Sequence, residues 1–289
     1  MRPLILCVFA ASGTAGPALA GAPAPLPDAS RKFVQSEVVV TGKVTALEKD
    51  TVRATAPHTG AKDNVAYRVA VVKIDAALVG ASGVTHIKVG FVPPDPKAPP
   101  VRGSGGVIRP PAPVPELKDG QTVLLYLCKH PAADFYVMPW QFMPADLGTV
   151  AGTQELDTAK TFAAALADPL KGLQSDARGV RAETAARLVA KYRAYPALGA
   201  KVEPVPIGAD ESRLILRGIA EGDWSPTRSG AAPAAVQALY ALGLTAKDGW
   251  KVPIVKPGED VFGKTQEAFA RWLEGPGREY RVKRFAPKQ

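Results

Sequence analysis

Histidine is the side chain proteins use most often for proton transfer, and this chain has three: His58, His86 and His130. His58 lies in the polar run APHTGAKD, His86 in the alternating run VTHIKVGFV, and His130 where two apolar runs meet at a turn. No two of them stand at i,i+4, and no H-E-x-x-H, C-x-x-C or carboxylate-rich loop accompanies them. The spacing therefore writes out neither a zinc site nor a dithiol site. Cys128 and His130 are two apart and share one face of a continuing strand, but a metal needs further ligands that this spacing does not supply. Serine hydrolysis requires a nucleophile on a strand-to-helix elbow. Ser104, in Gly103-Ser104-Gly105-Gly106, sits instead inside a proline-rich stretch, and no Lys-Ser/Thr pair or helix start follows to make a phosphate cradle of its glycines. No catalytic residue, metal ligand or cofactor is expected from these residues.

What remains is binding. Tyr67, Arg68, Lys73, Lys88 and Phe91 set aromatic rings among basic side chains on two predicted strands. That is the combination with which a small barrel stacks bases and neutralises phosphates. The same alternation is also the solvated face of any sheet, and an aromatic content of 7% with no aromatic-basic motif speaks against nucleic acid. The basic run Arg278–Phe285 reads as a frayed end, a returning strand or a polyanion contact. Trp140, Trp224, Trp250 and Trp272 read as core or inter-domain anchors, with Trp224 plugging a helix end, and Tyr126 and Trp140 as lining of a barrel interior.

The elements that must position these residues fall into two textures. Residues 37–47, 66–74, 84–92, 123–127 and 135–140 carry β-branched runs, alternation or continuous apolar stretches, and predict five strands, the last two joined as a hairpin across 130–134. Gly42 marks a bend or bulge in the first. Between the third and fourth strands, residues 93–115 hold nine prolines and are expected as a surface insertion without regular structure. Beyond Gly152 the period turns helical: 158–168, 180–194, a segment capped by Asp210 over 212–221, 232–244 opened by Pro233, and a last helix from Glu259 or Asp260 to Leu273, stopped by Gly275-Pro276-Gly277.

Composition sets the frame. The chain has 289 residues, 46% apolar and 22% charged, which excludes a wholly disordered chain. Arg2, the apolar run from Leu4 to Ala11 and Ala18-Leu19-Ala20 read as an export signal over 1–20, too short for a membrane span and broken by Pro17. Residues 21–33 read as a Pro/Ala-rich linker. Cleavage would remove Cys7 and Arg2, leaving Cys128 as the one cysteine and lowering the net charge from +9 to +8. One cysteine forms no internal disulfide, so packing alone must hold the fold. The positive charge fits an anionic surface, although no block of five or six basic residues concentrates it.

SEVVVTGKVTALEKD, YRVAVVKIDAALVGA and LKDGQTVLLYL together resemble the netrin/TIMP-like family across residues 36–143. The resemblance implies an OB-type barrel. Family members that inhibit metalloproteases present cysteines at the mature N-terminus; residues 21–35 contain none, so inhibition is not carried over. LKGLQSDARGVRAETAARLVAKY, residues 170–192, resembles a HEAT-like helix pair, a module that binds other proteins, although no clear second copy follows.

The resulting expectation is an α+β protein of two domains. An antiparallel OB-like β-barrel spans 34–145, an all-α, HEAT-like domain spans 155–275, and a basic tail occupies 276–289. Function is expected to be non-enzymatic binding or scaffolding, secreted or periplasmic, with another extracytoplasmic protein as partner. The alternatives are a hydrolytic or metal-assisted enzyme with a scattered site, and a binder of an anionic polymer.

Overall fold

The computed structural model describes residues 28–56, 64–93, 101–102, 108–109, 114–139, 142–225 and 232–288. The expected signal peptide, His58, Ser104 and Trp140 lie outside them. Asp28–Val34 is a helix, α1, where a linker through residue 33 was expected. The prolines stop at Pro27, and Phe33 and Val34, 1% and 6% exposed, give the turn an apolar side to bury.

Val38–Leu47 (β1) leads into Val52–Thr55 (β2), Asn64–Val79 (β3) and His86–Phe91 (β4). Val101–Arg102 (β5) and Ile108–Arg109 (β6) pair with each other inside the proline-rich insertion, which was expected to hold no regular element. Prolines flank this short ladder but do not enter it, so its amides remain free to bond. Thr122–Lys129 (β7) and Tyr136–Val137 (β8) form the expected hairpin, and Ala145–Asp146 (β9) adds to the outer edge of β7.

These strands, apart from β5 and β6, make one mixed sheet of seven. Its pairings run β1-β3-β4-β8-β7, and β7 pairs again with β1. All are antiparallel except β4 with β8, so the expectation of a wholly antiparallel sheet is corrected. The cause is parity: a circuit of an odd number of strands cannot alternate direction throughout, and one parallel contact must result. Gly42 does sit at an irregularity, where the register of β1 on β3 shifts between Thr41 and Gly42. A Cβ there would stand 2.3 Å from the carbonyl oxygen of Lys73, so only glycine lets the two backbones come this close.

The continuous apolar run of β7 is covered on both sides, as its pattern requires. Val123, Leu125 and Leu127 face Val40, Val44, Val72 and Val89. Leu124 and Tyr126 face the other way, against Phe33, Ala159 and Phe162. Tyr126 therefore lines no interior shared with Leu125; a period of two puts it on the opposite face.

Val150–Ala167 (α2) starts earlier than the pattern showed, because Thr149 caps it by accepting from the Gly152 amide at 3.1 Å. Pro169–Leu173 (α3), Arg178–Tyr192 (α4), Ala209–Ala220 (α5), Ala234–Leu242 (α6) and Val261–Glu274 (α7) follow. Asp210 lies within the first turn of α5 and is not its cap, which is Gly208; its carboxylate still suits the positive end of the helix. Asp260 does cap α7, accepting from the amides of Phe262 and Gly263 at 3.1 and 3.0 Å.

This half is not all-α. Val202–Pro206 (β10) pairs antiparallel with Lys283–Pro287 (β11), so the expected basic tail is the returning strand. Val282 is fully buried, and its amide donates to Ser212 Oγ at 2.6 Å. Alternation explains it: Val282 enters the core while Arg281 and Lys283 turn towards carbonyl and carboxylate partners, Ile207 and Asp248. The core beneath gathers Leu188, Ile215, Val236, Phe269 and Trp272. Leu166 of α2 touches this core and also the one under Tyr126, so the two halves share a wall. No helix among the described residues is long and apolar enough to cross a membrane.

Candidate functional site

His130 is 2% exposed and both of its ring nitrogens are engaged. Nδ1 accepts from the Ala132 amide at 3.1 Å, so the proton must sit on Nε2, which donates to the Thr55 carbonyl at 2.9 Å. The ring ties the β7–β8 turn to β2 and packs against Tyr67 and Phe135, with centroids 5.7 and 5.1 Å away. His86 is exposed and meets Thr85 Oγ1 at 3.1 Å. Among the described residues, no group of three or more His, Cys, Asp or Glu could hold a metal ion.

Cys128 is buried, and its thiol donates to the Gln35 carbonyl at 3.2 Å. Burial pushes its pKa up to about 12, which removes the thiolate that nucleophilic attack requires. Beside it, burial also raises Glu37, against the opposing pull of the Lys129 amide and the Cys128 thiol. Lys191 is lowered by burial and donates to the carbonyls of Val34 and Ser36 at 3.2 and 2.7 Å. This cluster fastens the end of α4 to the chain entering β1.

The five residues expected on a binding face do not share one. Tyr67 and Lys73 have one parity on β3, and Lys88 opposes Val71 of that same parity. Arg68 has the other parity and opposes Phe91. Tyr67 and Phe91 are 4% and 3% exposed, so neither ring can stack on a ligand. Arg68 and Lys73 are exposed, while Lys88 pairs with Glu48 at 2.8 Å.

The concave site lies elsewhere. A cleft of about 530 Å³, open to solvent, is formed by the start of α4, the turn after α5 and the start of α7. Arg178 and Gly179 come from the first, Glu221, Asp223 and Trp224 from the second, and Asp260 from the third. Glu221 is held by Arg181 Nε at 2.6 Å and Arg217 Nε at 2.7 Å, and these guanidinium groups, Arg181 foremost, keep its carboxyl below the usual range. Asp223 accepts from the Ser225 amide at 2.9 Å, which lowers it likewise. Trp224 is 4% exposed and leans on Phe269, as expected of a plug at a helix end, but its indole N–H has no acceptor among the described residues.

The sequence marks these three places singly, as part of the HEAT-like stretch 170–192, as the Trp224 plug and as the helix opened by Glu259 or Asp260. Periodicity within one segment says nothing of which helix starts open onto the same space, so the cleft was missed. Comparison with protein-family models and with curated proteins finds no match to this chain.

Proposed function

We propose that this is an exported, non-enzymatic binding protein that acts by contact with another protein outside the cytoplasm. The observation that carries this reading is where the chain spends its side chains. Cys128 and His130, the groups best suited to chemistry, are locked in structural bonds. Val252 and Ile254 meanwhile stand 74% and 91% exposed between Lys251 and Lys256. Aliphatic side chains left in water together mark contact surfaces more often than catalytic ones. We read the sheet as an OB-like barrel, because its pairings return from β7 to β1. The helical half is read as HEAT-like, because α3 and α4 pack as neighbours across residues 174–177. Both kinds of module serve chiefly as binding scaffolds.

The test is affinity capture from an extracytoplasmic fraction, using the chain from Gly21 onward and its Ile254→Asp variant at low and high salt. The expected result is a protein partner retained at high salt and lost in the variant. Recovery only of polyanions that wash off with salt would sink the reading in favour of charge alone.

A further inference from the structure

Residues 251–256 (KVPIVK) run without turn or bend between two glycines of positive φ, Gly249 at 71° and Gly258 at 87°. Pro253 and Pro257 hold the residues before them, Val252 and Lys256, in the extended region, and the β-branched side chains at 252, 254 and 255 favour it further. Both ends of the segment are fixed. Trp250 packs on Phe269 and Trp272, and the Lys256 amide donates to Glu259 Oε2 at 2.8 Å. Side chains alternate as in a strand: Pro253 and Val255 are half-buried, while Val252 and Ile254 are 74% and 91% exposed. Yet no backbone amide or carbonyl of residues 251–255 has a hydrogen-bond partner among the described residues. An extended segment with an open edge is a template for another strand.

We propose that this segment is one half of a β-ladder, the other half being an extended stretch of a partner protein with an apolar centre and acidic residues on both flanks. The proposal deepens the contact surface at Val252 and Ile254 and rests on that reading. Proline selects the edge. In a strand the N–H and C=O groups of alternate residues point to the same side. The side shared by residues 251, 253 and 255 lacks a donor at its centre, because Pro253 has no N–H. The side of Val252 and Ile254 is complete, and it ends there because the Lys256 amide is spent on Glu259. An antiparallel neighbour would exchange both bonds with each of these two residues and lay its side chains beside theirs. Charge selects the occupant. Lys251 and Lys256 are exposed and enter no ion pair among the described residues, since Glu259 is taken by Lys264 at 2.9 Å. A second copy of this chain would bring four lysines to one short ladder, whereas acidic flanks would neutralise the two already there.

The test titrates the acetylated and amidated peptide Glu-Thr-Val-Thr-Val-Glu into the ¹⁵N-labelled full chain and follows the amides of Val252, Ile254 and Val255. In the antiparallel register its valines stand opposite Val252 and Ile254, and its glutamates opposite Lys251 and Lys256. The expected result is a saturable downfield shift of the Val252 and Ile254 amides with little change at Val255. N-methylation of both valines removes two ladder bonds and should weaken binding roughly tenfold or more. N-methylation of both threonines, whose amides point away, should change it by less than about twofold. Exchanging both glutamates for lysine should weaken binding roughly tenfold at low salt. Ile254→Pro keeps an apolar side chain but removes one amide of the edge, and should weaken binding as the methylated valines do; that amide bonds to nothing in the fold, so the rest of the spectrum should hold. Absence of a saturable shift, equal loss from the two methylated peptides, or preference for the lysine peptide overturns the proposal. So does a concentration-dependent shift of the same amides in the chain alone, which would make the occupant a second copy. If the peptides fail while capture is still lost in Ile254→Asp, the contact surface stands without a ladder. If the peptides behave as expected and capture yields nothing, the ladder stands and the extracytoplasmic partner falls.

Discussion

At the scale of single residues, two glutamates carry opposite signs. Glu37 is raised by burial, so whatever it adds to stability is present below the usual glutamate pKa and lost as pH climbs through its raised value. Glu221 is lowered by Arg181 and Arg217, so its contribution is present above the usual pKa and lost as pH falls through the lowered one. Glu221→Gln should therefore cost about 1 kcal/mol at neutral pH, as a small network of partly exposed ion pairs does. The gap to the parent chain should close in acid. Urea midpoints at several pH values check this; a gap that persists unchanged below the carboxylate range would mean that the side chain acts by packing instead of charge. The Arg217–Glu221 pair at i,i+4 is legible in its own segment, but the burial of Glu37 and the Arg181 partner 40 residues from Glu221 leave no mark there.

At the scale of elements, most of what was read from pattern is present, and the exceptions share a cause. Strands β1, β3, β4 and β7 and helices α4 to α7 announce themselves through period, cap and stop. What period cannot show is the short piece held only by its partner: α1, the β5–β6 ladder, β9 and the pair β10–β11. Each is too brief to carry a repeat: α1, β9, β10 and β11 are held by partners distant in sequence, and β5 and β6 by each other. Among the five residues expected on one face, parity within β3 already separates Arg68 from Tyr67 and Lys73, whereas which of those residues Lys88 and Phe91 stand beside depends on the register of β4, which neither segment shows. Close approach is equally silent in sequence. At the α4–α5 crossing, a Cβ on Gly218 would lie 2.7 Å from Ala185 Cβ and 2.8 Å from the Arg181 carbonyl. Gly218→Val should cost about 1–3 kcal/mol through overpacking. Helix propensity pulls the other way by under about 1 kcal/mol, so the clash decides the sign. Gly179→Ala, with open space around it, should be neutral or stabilising. Thermal melts of the pair test the argument; equal behaviour would sink it.

At the scale of the whole molecule, the boundary expected near residue 150 is less a gap than a shared wall. Leu166 packs in two cores, and Lys191 reaches from α4 to the carbonyls that precede β1. Independent units would melt in two steps, whereas cores joined in this way should melt in one. Removing residues 281–289 tests how much of this packing the closing strand supports, since it takes away Val282, the strand β11 and the bond to Ser212 together. The expected result is loss of the single transition for the truncated chain, with the aromatic circular dichroism of the tryptophan cluster reduced; an unchanged melt would show the strand to be ornament. This closing strand also sets a timetable. Residues 282–287 leave the ribosome after every helix they seal, so the helical half has no finished core while it is being made. A nascent chain of this design stays slack in its helical half until β11 has been made and has folded back onto β10.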